Sequence, residues 1–461
     1  MSLVESSKIL LFSLAVTTAL LTKNAYIPFV VFAGLFMIDR RFFISSILIT
    51  PIIETVLIVA EGITLTKLQA IFFIFIFSLE LLRRNRFSID KRSRYLVMYF
   101  FIVLFGLVNA FLFGEFWVLI GWDYNQVITE NLISVFPKII FAIVMYMYIK
   151  EKGKSHLIEN LRLATRVIPL SLIIVSIYFM TIGNVSSDWW NVVTRLTFQG
   201  ADPNEFSAIF LALGVFGIYS VFFSKSRVLT LVGVLSSLLV AYSVFLTLSR
   251  GGILTLLFCI VLVLVFFSKR NMRRSLTILL IGVVFLGILV MGGFLDLNPV
   301  YERFFGEHVG GDVSSLTAGR SDYVESALIS IVERPVVGFG GSTYASRWVN
   351  YQNTGISTVM HNIYLEILIQ YGIIGLSVFL AVLIRVFKDM LGVFGDKSFM
   401  TQENSILLIP YISLSLMLFA GLALSWEWRE LLWYLIAVCL AVGSFSDVQR
   451  DNDLTIVRRR I

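Results

Sequence analysis

Residues 205–268 read EFSAIFLALGVFGIYSVFFSKSRVLTLVGVLSSLLVAYSVFLTLSRGGILTLLFCIVLVLVFFS. Three apolar runs, 205–223, 228–247 and 252–268, follow one another, separated only by Ser224-Lys225-Ser226-Arg227 and Leu248-Ser249-Arg250-Gly251. Each run is close to the ~18 to 20 residues a helix needs to cross a bilayer. The pattern recurs along all 461 residues, at 8–22, 25–38, 43–60, 67–82, 95–113, 133–149, 166–183, 275–293, 361–384, 404–424 and 431–446. With 58% hydrophobic and 15% charged residues and a mean hydropathy of +0.88, the chain has more apolar surface than one globular core could hide. A soluble enzyme is excluded. The expected fold is all-α: a polytopic transmembrane helical bundle of about 12 to 14 spans.

The formal charge of +7 matters less than its distribution. Arg40-Arg41, the cluster Arg83, Arg84, Arg86, Lys91, Arg92, Arg94, then Lys150, Lys152, Lys154, Lys225, Arg227, Lys269, Arg270, Arg273, Arg274, Lys388, Lys397 and Arg458 to Arg460 all follow even-numbered spans. The positive-inside rule makes that side cytoplasmic, with both termini on it. A basic membrane protein of this kind gives no case for nucleic acid. Cys259 and Cys439 sit inside apolar runs and read as packed thiols, with no CxxC or Cys/His metal spacing. No cleavable signal peptide precedes the first span, which reads as a retained helix.

The opposite loops are longer. They include 114–132 with Glu115, Asp123 and Glu130, then 184–204 with Asp188-Trp189-Trp190, and the segment 294–360. A loop as long as the last is uncommon without a role. Within it, Val324, Leu328 and Ile331 at helical spacing predict an amphipathic helix over 321–333 on the outer surface of the bundle, with Asp322 to cap it and Pro335 to end it. Val337-Gly338-Phe339-Gly340-Gly341 then reads as a flexible glycine turn whose backbone approaches a ligand closely. The expected organisation is one membrane domain: 1–293 with the first eleven spans, 294–360 as a large periplasmic loop, and 361–461 with three spans and a cytoplasmic tail.

A Walker A sequence, an HExxH pair and a GxSxG elbow are missing, so the sequence offers no motif for ATP hydrolysis, zinc or a serine nucleophile. Asp451-Asn452-Asp453 reads as a solvated terminus. Apart from Lys23, Lys67 and Lys138 near span ends, the outward cations are arginines: Arg195, Arg250, Arg303, Arg320, Arg334, Arg347 and Arg429. Guanidinium forks bind phosphate bidentately at any relevant pH. Arg250 sits in Thr247-Leu248-Ser249-Arg250-Gly251-Gly252, where one span ends and the next begins, a costly place for an arginine without a ligand. Arg195 precedes Gly200-Ala201-Asp202-Pro203-Asn204-Glu205, a helix entry with Asp202 or Asn204 as cap. His156 and His308 read as surface residues. His361, in His361-Asn362 at the start of a span, is placed to take a proton from a hydroxyl.

Ser249-Arg250-Gly251-Gly252, the long loop with Gly319-Arg320 and Pro335-Val336-Val337-Gly338-Phe339-Gly340, and His361-Asn362-Ile363-Tyr364-Leu365-Glu366 followed by Gly372 and Gly375 together resemble the O-antigen ligase and polymerase (Wzy/WaaL) superfamily. The motifs span residues 195–380, while the first 180 residues contribute topology alone. The resemblance implies a bacterial inner-membrane glycosyltransferase that moves a glycan en bloc from a polyprenyl diphosphate carrier to an acceptor sugar hydroxyl at the periplasmic face. It implies Arg195 and Arg250 as the diphosphate clamp and His361 as the group that activates the acceptor. Arg320, Asn362, Gly338 and Gly340 are the substrate-binding candidates, and no metal or cofactor is implied. Trp189, Trp190, Tyr344 and Trp348 are candidates for stacking on sugars.

The implied partners are a polyprenyl diphosphate-linked oligosaccharide, membrane lipid, an accessory chain-length regulator, and an acceptor glycan that is either a lipid-linked repeat unit or lipid A core. A polymerase is favoured over a ligase. A third reading, a transporter of polysaccharide or lipid-linked oligosaccharide, asks for charged residues paired inside spans or broken helices in two similar halves.

Overall fold

The structure, a computed structural model, describes residues 3–54, 65–83, 89–113, 136–182, 184–187, 194–197, 202–267, 272–305, 319–340, 343–395, 404–425 and 430–458. Its elements are α1 (Leu3–Thr22), α2 (Tyr26–Ile38), α3 (Phe42–Glu54), α4 (Leu65–Arg83), α5 (Ser93–Phe113), α6 (Phe136–Lys152), α7 (Lys154–Ile182), β1 (Asn184–Ser187), β2 (Thr194–Thr197), α8 (Pro203–Phe223), α9 (Arg227–Leu246), α10 (Arg250–Phe267), α11 (Met272–Met291), α12 (Asn298–Phe305), α13 (Arg320–Ile331), α14 (Thr343–Thr354), α15 (Ile363–Gly395), α16 (Ile409–Ala420) and α17 (Glu430–Arg458). Every apolar run named above holds one of these helices, although residues 55–60 and 133–135 of two runs lie outside the described residues. Among the described residues, 8 helices are long and apolar enough to cross a membrane, and five shorter apolar helices accompany them. The chain is a multi-pass helical membrane protein. Glu115, Asp123, Glu130, Asp188-Trp189-Trp190, His308 and Arg429 lie outside the described residues.

The chain divides into two compact units, residues 1–69, 158–316 and 405–420 in the first, and 70–157, 317–404 and 421–461 in the second. In the first unit α8 is central and packs against α3, α9, α10 and α16. Lipid is as apolar as the side chains, so close backbone approach and interhelical hydrogen bonds hold such helices together. The α8–α9 contact shows this. A Cβ on Gly233 would lie 2.6 Å from the Gly217 carbonyl, and Gly214 sits against Val240. Ser413 Oγ donates to the Ala212 carbonyl at 2.6 Å, tying α16 to α8, and Ser220 Oγ donates to the Thr165 carbonyl at 2.8 Å, tying α8 to α7. Cys259 and Cys439 are buried free thiols.

The second unit is built on α5, α6, α15 and α17. Trp433 is fully buried, 4.8 Å from Tyr99 between ring centroids. Two buried ion pairs cross it. Arg92 donates from Nε and Nη2 to the two oxygens of Asp389 at 2.9 and 2.8 Å, and Lys138 Nζ reaches Glu430 at 3.0 Å. Both pairs sit at the ends of spans, where charge is least costly.

Helix α15 is broken at Gly372, whose φ is 64° and ψ −165°. The freed backbone groups are taken up by the segment 335–340. Phe339 N–H donates to the Ile369 carbonyl at 2.8 Å and Gly340 N–H to Gln370 at 3.0 Å, while Ile373 N–H donates to Pro335 at 2.9 Å. Irregular backbone at membrane depth is tolerated where protein satisfies it in this way.

The same segment belongs to a small core formed by Ala110, Ala327, Phe339, Tyr344, Ala345, Val349, Met360 and Ile369. The loop 294–360 therefore holds three described helices, α12, α13 and α14, where the sequence predicts one. Helix α13 is also capped differently, beginning after Gly319 at φ 79° with no side-chain cap, and Asp322 lies in its first turn. It packs through Tyr323, Ser326, Ala327, Ser330 and Ile331, leaving Val324 and Leu328 exposed (39% and 56%). The apolar stripe read from the sequence is thus split between two faces, because small residues allow the closer packing.

Candidate active site

The first unit carries Arg195 and Arg250. Arg195 is on β2, paired with Ser186 of β1 in an antiparallel hairpin. The next described element is α8, where Asp202 is the N-cap, accepting from Asn204 N–H at 2.7 Å, and Pro203 opens the first turn, as the sequence predicts. Asn204 Oδ1 accepts from Ser249 Oγ at 2.5 Å, and Ser249 Oγ accepts from Gly252 N–H at 2.8 Å. Ser249 thereby caps α10, whose first residue is Arg250, and fastens that start to the start of α8. Leu248, at φ 48°, makes the sharp turn between the helices. A Cβ on Gly252 would lie 2.7 Å from Cβ and Oγ of Ser207, so the two helix starts approach as closely as glycine permits. Ser207 Oγ and Thr247 Oγ1, 2.9 Å apart, complete the buried polar layer beneath half-buried Arg250.

The second unit carries His361, Asn362, Arg320, Gly338 and Gly340. His361 has φ 48°, a left-handed conformation uncommon for a residue with a side chain. Its imidazole is partly exposed, lies 5.8 Å from the Tyr323 ring between centroids, and has Nε2 3.4 Å from Thr358 Oγ1. Burial pushes the Tyr323 phenol up; Asp322 adds to this and Arg320 opposes it. Arg320 starts α13 one turn before Tyr323, so the loop helix brings a guanidinium and a phenol to the His361 side of this unit.

Asn362 caps α15. Its Oδ1 accepts from the N–H groups of Tyr364 and Leu365 at 2.9 and 3.1 Å, and its Nδ2 donates to the Leu422 carbonyl at 3.1 Å. Both ends of this amide are engaged by protein. The close approach read for Gly338 and Gly340 is also made to protein. A Cβ on Gly338 would lie 2.5 Å from the Ile369 carbonyl, and one on Gly340 3.0 Å from Ala110. Both are buried, and their turn is docked rather than flexible. Tyr344 is likewise in the loop core, and Trp348 packs on Phe339 at 5.5 Å.

Sequence reasoning missed what holds His361. Glu366, fully buried in the first turn of α15, accepts from Ser346 Oγ at 2.5 Å, Gln370 Nε2 at 2.9 Å, Ser425 Oγ at 2.9 Å and Met360 N–H at 3.1 Å. The signal was present: a carboxylate inside an apolar run demands partners.

No curated protein matches the chain. Residues 234–380 match the family model described as O-antigen ligase, a segment that contains Arg250, Arg320, Gly338, Gly340, His361 and Asn362 and leaves Arg195 outside. Across that segment, from within α9 to within α15, this membrane protein is similar to the O-antigen ligase family.

Proposed function

We propose that the protein is a polymerase-type glycosyltransferase of the bacterial inner membrane, with both termini cytoplasmic, joining lipid-linked repeat units at the periplasmic face. The observation that supports a glycan-transferring enzyme, polymerase and ligase alike, is the family match over 234–380, which takes in both the Arg250 turn and the His361 turn; the Asp202-Pro203-Asn204-Glu205 turn is what inclines the reading to the polymerase. The acceptor hydroxyl oxygen attacks the anomeric carbon of the donor glycan as the bond from that carbon to the diphosphate oxygen breaks, with inversion. His361 takes the hydroxyl proton, and Arg195 and Arg250 hold the departing polyprenyl diphosphate, whose charge grows in the transition state.

Arg320 and Asn362 line the acceptor side. Gly338 and Gly340 serve by docking the loop on α15 rather than by touching substrate. The partners are then a polyprenyl diphosphate-linked oligosaccharide, a second lipid-linked repeat unit as acceptor, and an accessory regulator of chain length.

A ligase that passes finished polymer to lipid A core is the second reading, favoured by the description of the matching family. A deletion strain separates them. Loss of the length ladder with one repeat still attached to the core supports the polymerase, whereas accumulation of lipid-linked polymer supports the ligase. Full complementation by His361→Ala or Arg250→Ala at normal protein levels rejects the assigned site.

A further inference from the structure

The geometry points to Glu366 as the positioning residue of the reaction, a buried carboxylate that holds the His361 turn in its left-handed conformation; this rests on the reading of His361 as the acceptor-activating group.

A left-handed conformation at a residue with a Cβ is strained and persists where the surroundings over-determine it. Those surroundings are specific here. Met360, immediately before His361, gives its N–H to Glu366 Oε2. Immediately after it, Asn362 caps α15 and bonds Leu422, and Ile363 N–H donates to the Gly421 carbonyl at 2.8 Å. Ser425 Oγ, from the same 421–425 segment, shares Glu366 Oε2 with Met360. Oε1 gathers Ser346 from α14 and Gln370 from the next turn of α15. One side chain therefore joins the loop helix, the turn before His361 and the segment 421–425.

A carboxylate suits the task because it accepts at both oxygens and all four partners donate. Glutamine keeps the shape. Its oxygen would serve Met360 and Ser425, and its NH2 would meet Ser346, a hydroxyl able to accept, and the amide of Gln370, whose Oε1 has no hydrogen-bond partner among the described residues and so loses nothing there on turning. Leucine keeps the volume and removes every acceptor.

The test uses the full-length protein in detergent, with lipid-linked repeat unit extracted from a strain lacking it. Glu366→Leu is expected to lower kcat by about 30-fold or more with KM within about twofold, and Glu366→Gln to keep at least roughly a third of kcat. Arg92→Lys, which weakens the fork on Asp389 at the other end of α15, is the stability control. A structural role alone predicts the same kcat loss for the same fall in Tm in Glu366→Leu and Arg92→Lys, and that result overturns the inference. Should Glu366→Leu fail to fold, Ser425→Ala decides, with kcat lower by about fivefold at a Tm within a few degrees; unchanged kcat overturns the inference. Wild-type activity in His361→Ala rejects the parent reading instead, whereas an inactive His361→Ala beside a fully active, folded Glu366→Leu rejects the role of Glu366 alone.

Discussion

The backbone of Gly372 lies against that of Val336, so closely that a Cβ on the glycine would strike the Val336 carbonyl and come within 2.6 Å of Val337 N. Gly372 also has a positive φ, so two independent constraints exclude a side chain. Gly372→Ala is expected to separate the loop from α15 and destabilise by more than about 1 kcal/mol, lowering Tm in detergent by several degrees and abolishing activity. Gly287→Ala on α11, where a Cβ meets nothing within 4 Å among the described residues, is the matched control and keeps both.

Asp389 lies between two guanidinium forks, from Arg92 and from Arg385, whose Nη2 is 2.8 Å from Oδ1. Asp389→Asn leaves two cations facing one neutral group in a buried place, an imbalance that costs about 3 to 5 kcal/mol. The expected result is a large drop in Tm and in the amount of folded protein on size exclusion. Combining it with Arg92→Met should restore part of the loss, since the two changes share one contact.

Asp39, between α2 and α3, accepts from Arg41 N–H, Nε and Nη2 and from Lys8 Nζ at 2.8 to 3.1 Å. The Arg41 guanidinium holds its carboxyl well below the ordinary range, against the opposing effect of partial burial, and Lys8 adds to the lowering. Arg41 is raised in return by the same bonds. A carboxyl lower in the folded than in the unfolded state contributes stability above its unfolded pKa of about 3.9 and loses it as pH falls below that. Unfolding followed from pH 6 to pH 3 should show stability flat at first and then falling. Asp39→Asn should be less stable at pH 6 and show a shallower fall.

Arg250 offers a test of fork against charge. Lysine keeps the charge and loses the planar pair of donors. Under the proposed mechanism, Arg250→Lys and Arg195→Lys should each retain normal protein levels and lower turnover of lipid-linked repeat unit by roughly 10- to 100-fold, with alanine worse. Ser249→Ala, which frees the start of α10 from Asn204, should fall between wild type and Arg250→Lys.

The spans were legible because a bilayer demands long apolar runs, and each run named from the sequence holds a described helix. The Asp202-Pro203 entry to α8 was legible because local capping chemistry decides it. Helix α14 was not: its sequence TYASRWVNYQNT is polar enough to pass for loop, and it is held by burial of Tyr344, Ala345 and Val349 in a core contributed from distant segments. Gly372 read as one glycine in a span, since its partner lies more than thirty residues earlier in the chain. Gly338 and Gly340 showed where backbone must come close but not to what. Arg250 and His361 stood out as polar residues at span boundaries, whereas Glu366, though part of the same motif, took no role from the sequence because its partners are two serines, a glutamine and one N–H.

The break at Gly372 also divides α15 mechanically. The stretch after it, 373–395, is about 34 Å long as a helix, enough to cross the ~30 Å hydrocarbon layer unaided. The two turns before it, which carry Glu366 and follow His361, are bonded instead to the 335–340 segment, α14 and residues 421–425. A span answers thinning or thickening of the bilayer by tilting. Here the long arm meets a short piece anchored elsewhere in its unit, and because Ile373 N–H and Ile374 N–H donate to Pro335 and Val336 while Phe339 and Gly340 donate to Ile369 and Gln370, the loop segment clamps the break from both sides.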